Sequence, residues 1–197
     1  MAKIQYNKTC LLEINKNLKI RKNALPVLQS KEAALRAESK RIRVRIKEMD
    51  EKIALMVEEF SAMQRLWAEF PPHILKFKKV NFVKKKIASV DILVVENVIF
   101  EEQEFSLFAY PAWFLQGIEL LKRVIHLKIV RITEEKILES IDYARRKTTQ
   151  KVNLYEKVQI PFFEEAILKI KRFLEDQDNL SKASQKVIKK RMEALTV

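Results

Sequence analysis

Apolar side chains recur every seven residues from the start of the chain to its seventieth position, with no break in phase. Taking Ile4, Leu11, Leu18, Leu25, Glu32, Ser39, Ile46, Ile53, Phe60 and Trp67 as a positions puts Asn7, Ile14, Arg21, Leu28, Leu35, Ile42, Met49, Met56, Met63 and Phe70 at d. Sixteen of these twenty sites are apolar. A sustained seven-residue spacing on a helix of 3.6 residues per turn implies a left-handed supercoil against a partner helix. The pattern predicts one long helix over residues 1–70. It stops at Phe70-Pro71-Pro72, where proline removes amide donors and forces the preceding residue towards extended geometry.

The pattern then changes character. Between Val80 and Tyr110, β-branched and aromatic residues cluster at Val90, Ile92, Val94, Val95, Val98, Ile99 and Phe100, which predicts a small β-hairpin in an insertion at 71–110, with Glu96-Asn97 as its turn. The run is broken by Asp91 and Glu96 and is far shorter than the roughly 18 apolar residues of a membrane span. From Pro111, suited to a first helical turn, helical spacing returns through Ile118, Leu121, Ile125, Ile129 and Ile132, predicting a second long helix over 111–180 and a basic tail at 181–197. Its seam is less regular. The expected fold is all-α dominated: a long antiparallel two-helix left-handed coiled coil with a small β-hairpin inserted at the turn end. About 65 residues at 1.5 Å each would make a stalk of roughly 100 Å. Facing positions should then add to about 181, which brings Pro26 and Pro161 within about two turns, as two separate kinks or one shared bend.

Composition removes several function classes. The 197 residues hold a single glycine, so neither a Walker-type phosphate loop nor a dinucleotide fingerprint can be built. Cys10 has no partner for an internal disulfide, and the two histidines, His73 and His126, lack zinc-ligand spacing. No cofactor or metal is expected, the start MAKIQYNK does not have the form of a signal peptide, and the chain reads as cytosolic. Adjacent acids such as Glu134 and Glu135 do not share a helix face, and no catalytic residue is assigned. His126, among Val124, Ile125 and Leu127, is expected to be partly buried. Gly117 is either a tolerated helix residue or a point of close approach.

The formal net charge of +13 divides as +6 over residues 1–70, +1 over 71–116 and +6 over 117–197. Clusters at Arg36 to Lys47, at Lys84 to Lys86 and at Lys186, Lys189, Lys190 and Arg191 are consistent with nucleic acid, an anionic membrane, an acidic protein surface or a solvated helix face. Met49, Met56 and Met63, flanked by Phe60, Trp67 and Phe70, are either seam packing or a groove for another protein of an assembly.

One segment carries a more specific signal. Lys147-Thr148-Thr149-Gln150-Lys151-Val152-Asn153-Leu154-Tyr155-Glu156, followed by Ile160-Pro161, resembles the K-T-x-R-R-V-N-A-L-E-x-x-x-I-P signature of the D subunits of V-type and archaeal-type rotary ATPases. Leu18-Lys19, Val27-Leu28, Lys31 and Leu35 are similar to that family's N-terminal pattern, and Lys186 to Lys190 to its basic ending. Ala24, Pro26, Glu32, Ala33 and Gln150 depart from it, as in a divergent member. The resemblance implies a non-catalytic central-stalk rotor shaft in the cytoplasm, peripheral to the membrane through its complex. Implied partners are the catalytic and regulatory subunits of a nucleotide-binding hexamer, the F subunit of the stalk, and a funnel-shaped subunit leading to the membrane ring. On that reading Met56, Phe60, Met63, Trp67 and Ile125 border the site of the F subunit, and Lys186, Lys189, Lys190 and Arg191 meet the catalytic ring. Neither nucleic-acid binding nor membrane insertion is expected. The alternative is a basic coiled-coil adaptor for nucleic acid or anionic membrane.

Overall fold

The computed structural model describes residues 5–62, 64–71, 74–103, 110–111 and 113–195. In chain order these form helix α1 (Lys8–Ala62), a one-turn helix α2 (Gln64–Trp67), strands β1 (Leu75–Ile87) and β2 (Val90–Glu102), helix α3 (Trp113–Leu154), a π-helical turn (Tyr155–Gln159) and helix α4 (Ile160–Leu195). Ile4, Met63, Pro72 and His73 lie outside the described residues.

Helix α1 begins where a cap is available. The Asn7 side-chain oxygen accepts the Cys10 amide at 2.7 Å, so Asn7, a d position by spacing, is the N-cap. Thereafter the heptad is obeyed closely. From Leu11 to Met56 every side chain that is not exposed falls at an a or d position or, up to Glu38, at g. Pro26 lies within α1 without ending it.

The chain divides into two compact units, residues 1–31 with 148–197 and residues 32–147. In the first, Ile14 packs with Ala166 and Ile170 in a buried cluster flanked by Cys10, Leu11 and Phe163. Around it Tyr6 meets the Phe173 ring at 5.1 Å, Arg21 Nε donates to Gln159 Oε1 at 3.1 Å, and Lys22 pairs with Glu164 at 2.6 Å. Residue numbers rise along α1 as they fall along α4, so this pairing is antiparallel.

The second unit shows the same sense independently. Ser39 meets Asp142, Arg45 meets Glu134 and Asp50 meets Arg131, at 2.9, 3.2 and 2.9 Å. The first and last of these pairs add to the 181 expected of facing positions. Leu35, Ile42, Ile137 and Ile141 form the core, and Ile92 of the hairpin is buried with them. A second cluster joins Ile74, Phe114 and Ile118.

The hairpin is longer than the sequence suggests, and its turn is elsewhere. Ile87 pairs with Val90 across Ala88-Ser89, whose φ angles of 47° and 69° are the positive pair that a two-residue I′ loop requires. Glu96-Asn97 is not the turn. Asn97 pairs with Asn81, and Glu96 is the extra residue of a β-bulge where Asn81↔Asn97 gives way to Phe82↔Val95. The lysine-rich segment after Phe77 is strand because its long side chains extend into solvent from β1, while β2 turns Ile92 and Val98 inwards.

The second helical stretch is interrupted by the π turn. Pro161 has no N–H to give the Lys157 carbonyl, and the ladder widens ahead of it, with the Ile160 amide donating to Tyr155 O. Thr148 and Ile170, both buried, are twenty-two residues apart, one more than three heptads. The π turn takes up that residue, which accounts for the irregular seam. Beyond it α4 remains helical to Leu195, through the segment whose sequence suggests a tail.

Candidate partner-binding surfaces

Two surfaces of the second unit concentrate aromatic and apolar side chains beyond the helix seam. The first lies where the chain enters and leaves the insertion. Trp67 meets Phe70 and Trp113 with ring centroids 5.5 Å away in each case, and Phe114 stacks on Phe70 at 5.2 Å and on Tyr110 at 4.8 Å. Short turns hold these rings together: the Phe70 amide bonds to Trp67 O, and the Phe114 amide to Pro111 O at 3.0 Å. Gly117 lies beneath them. A Cβ there would come within 3.1 Å of the Trp113 ring and 3.2 Å of the Trp67 ring, so the missing side chain is what admits both indoles. The close approach open to Gly117 by sequence is therefore an approach of rings, not of backbone. Trp113 Nε1 is buried with no hydrogen-bond partner among the described residues.

The second is a groove of about 400 Å³ lined by Met56 of α1, Phe100 of β2, and Lys122, Arg123 and His126 of α3. His126 is exposed there rather than partly buried. The helix explains the difference: Val124 is buried, and a residue two positions on is turned about 200° from it. Lys122 is tied to Glu102 of the hairpin by a short ion pair.

Of the residues expected to border a partner, Met56, Trp67 and Ile125 are half-buried. Met63 and the side chain of Phe60 lie outside the described residues. Trp113, Phe114 and Phe100 are additions that the structure makes to this set, although the aromatic density at Tyr110, Trp113 and Phe114 signals them in the sequence.

Lys186, Lys189, Lys190 and Arg191 are all exposed on α4. They share the helix with Leu180, Val187, Ile188 and Met192, apolar residues that are each more than half exposed. Every residue from Glu175 to Met192 is exposed, so this part of α4 presents an amphipathic basic helix to solvent.

The signature segment spans the end of α3, the π turn and the start of α4. Thr148 is buried and Val152 and Ile160 half-buried, whereas Lys151, Asn153, Glu156 and Pro161 are exposed. Lys147, also exposed, sits over the Tyr143 ring at 5.6 Å. Three of these eight motif residues thus serve helix packing and five face solvent.

Among the described residues no group of three or more His, Cys, Asp or Glu side chains is placed to hold a metal ion, and no helix is long and apolar enough to cross a membrane. The surfaces offer charge and apolar area, the materials of protein contact.

Residues 10–190 match the family of ATP synthase D subunits. The chain is 32% identical to the V-type ATP synthase D subunit of Borreliella burgdorferi over 193 residues, 96% of this chain and 95% of that one. It is 28% identical to the protein of the same name from Chlamydia muridarum over 109 residues, 55% of this chain and 54% of the other. With that of Chlamydia pneumoniae the identity is 24% over 174 residues, 86% and 83% of the two chains.

Proposed function

The chain belongs to the family of ATP synthase D subunits, and from that premise we propose that it is the central-stalk rotor shaft of a V-type ATPase/ATP synthase. It couples ATP hydrolysis or synthesis in a catalytic hexamer to rotation of an ion-translocating membrane ring. The observation that carries this reading is the family match over residues 10–190, nearly the whole chain, together with two helices paired antiparallel in each unit.

The chain itself is non-catalytic and cofactor-free in this reading. It sits on the cytoplasmic side, attached to the membrane only through its complex. The exposed basic end of α4, with Lys186, Lys189, Lys190 and Arg191, enters the hexamer and meets acidic side chains of the catalytic and regulatory subunits. Exposed charge pairs are individually weak, about 0–1 kcal/mol, which suits a surface that must exchange contacts as it turns. The Met56 groove and the adjoining aromatic cluster, with Trp67 and Ile125, receive the F subunit of the stalk. The funnel-shaped subunit binds near the insertion. An asymmetric shaft touches each catalytic interface differently, so its angle biases which interface is open and which closed.

Reconstitution with purified hexamer and stalk subunits tests the proposal. The expected outcome is a complex whose ATP hydrolysis drives ion movement only when this chain is present. Salt-sensitive binding to duplex DNA or anionic liposomes, with no affinity for the hexamer, would replace the rotor by the adaptor.

A further inference from the structure

The hairpin separates its charges by strand. β1 carries six lysines, Lys76, Lys78, Lys79, Lys84, Lys85 and Lys86, and no acid; β2 carries Asp91, Glu96, Glu101 and Glu102, and no base. Lys76 lies opposite Glu101, and Lys86 opposite Asp91. Yet among the described residues none of the six lysines takes part in an ion pair, and Glu102 is held by Lys122 of α3.

The two strands are also buried unequally. Ile92 and Val98 of β2 face the core, whereas no residue of β1 is buried. Among the described residues the sheet has two strands, and no strand lies beside the far edge of β1. On such an edge alternate residues direct N–H and C=O groups away from the ladder. Two aromatic side chains of the same strand, Phe77 and Phe82, are 52% and 48% exposed.

From these observations we propose that β1 is a docking edge for an acidic, extended segment of a neighbouring subunit, which adds to the hairpin as a third strand. The proposal rests on the assembly reading above and gives it a contact of defined chemistry. Charge selects the occupant. A second copy of this chain would bring six more lysines to the same edge and repel. A membrane or duplex surface engages cations gathered on one face, but successive residues of a strand point to opposite faces, so Lys84, Lys85 and Lys86 distribute charge to both. A strand bearing carboxylates on both faces answers that arrangement, since cross-strand neighbours lie about 4.5–5.5 Å apart. The exposed rings of Phe77 and Phe82 add apolar contact.

The test uses the full chain and a ten-residue peptide, Glu-Glu-Val-Val-Glu-Glu-Val-Val-Glu-Glu, which as a strand carries carboxylates on both faces. Saturable binding is expected, with hydrogen exchange slowed about tenfold at alternate amides of β1. A peptide of the same sequence, N-methylated at every second residue, keeps the charge but cannot extend the ladder and should bind at least about tenfold more weakly. The triple variant K84Q/K85Q/K86Q should lose a similar factor while its own β1–β2 exchange pattern stays that of the wild type. Equal binding of the methylated peptide, or displacement of the first peptide by duplex DNA or phosphatidylserine vesicles, would overturn the proposal. In the reconstituted complex, carbodiimide should join Lys84 to Lys86 to carboxylates of another subunit; coupling only to this chain's own Asp91 or Glu96 would also overturn it. Failure of the complex to assemble would count against the rotor assignment, and the peptide measurements would still decide the docking edge.

Discussion

The Ser39 hydroxyl donates a 2.9 Å hydrogen bond to Asp142 across the helix pair, from an a position where apolar side chains are the rule. Asp142 also accepts from Arg43 at 2.8 Å and from Arg145 at 3.2 Å, so a polar node replaces apolar packing at this level of the seam. Such a node is tolerated because its members satisfy one another, and a shift of helix register would leave the carboxylate buried without them.

Acid should undo this node. Burial, the largest single influence, opposes ionisation of Asp142, but the hydrogen bonds from Arg43, Ser39 and Arg145 and the Arg43 charge together hold its carboxyl below the ordinary value of 3.8. A group whose pKa is lowered by folding contributes stability above its unfolded pKa and loses it as pH falls through the folded one. Asp142→Asn should therefore cost about 1–2 kcal/mol near neutral pH, discounted for the solvent exposure of Arg43. Urea denaturation at neutral pH and near pH 3 checks this, and the gap between the two proteins should narrow at the acid end.

Gly117 sets the fit of the aromatic cluster. Alanine ordinarily stabilises a helix interior by about 1 kcal/mol over glycine. Here the added Cβ meets Trp113 and Trp67, and Trp113 is itself in contact with Phe70 and Phe114 and has little room to retreat. Gly117→Ala should thus be net destabilising by about 1 kcal/mol, with overpacking exceeding the gain in propensity. Near-UV circular dichroism should report altered tryptophan packing while far-UV helicity is retained. A more stable variant would mean that the rings yield freely.

The seam of α1 was legible because one property, apolarity at a and d, decides which side chains are covered over more than six heptads. The hairpin was legible as an element but not in its details. Ala88-Ser89 lacks the glycine or asparagine that usually marks positive φ, and the polar Glu96-Asn97 pair, which resembles a turn, sits at a bulge. The covered face of β2 was visible in its β-branched residues, but β1 is held by pairing to β2 rather than by its own burial, and no local pattern announces that. Trp67 was a candidate from its neighbours in sequence; its contact with Trp113 depends on the return of the chain forty-six residues later, as does the reason for a glycine at 117.

The π turn yields a prediction about length as well as about composition. It accommodates one residue in excess of the heptad count between Thr148 and Ile170, next to a proline that cannot complete the α ladder. Val158 is the residue to remove, since its side chain is 45% exposed. Its deletion together with Pro161→Ala should give a continuous α-helix and keep Ala166 and Ile170 against Ile14, with stability within about 1 kcal/mol of the parent. Deletion with Pro161 retained puts proline inside an α-helix without a bulge and should cost about 3 kcal/mol more. Chemical denaturation of the two variants separates the cases; equal losses would show that the turn does not serve the proline.

Truncation separates the stability of α4 from its role in coupling. Leu174 is the last residue packed against the Ile14 cluster, and everything from Glu175 to Met192 is exposed. A chain ending at Leu174 removes little apolar burial, so its denaturation midpoint should correspond to a loss of less than about 1 kcal/mol. The same truncation removes Lys186, Lys189, Lys190 and Arg191 and the apolar stripe between them. In the reconstituted complex it should leave binding of the stalk subunits intact, because the Met56 groove and the aromatic cluster lie in the other unit. ATP hydrolysis should persist while ion pumping per ATP falls, and the loss should resemble that of the full-length chain assayed at high salt if charge dominates the contact. Charge reversal of the four basic residues in the full-length chain divides the remaining alternatives: pumping lost with reversal identifies an electrostatic contact, pumping retained with reversal but lost on truncation identifies Leu180, Val187, Ile188 and Met192 as the gripping surface, and pumping unaffected by either change would remove this end of α4 from the torque path.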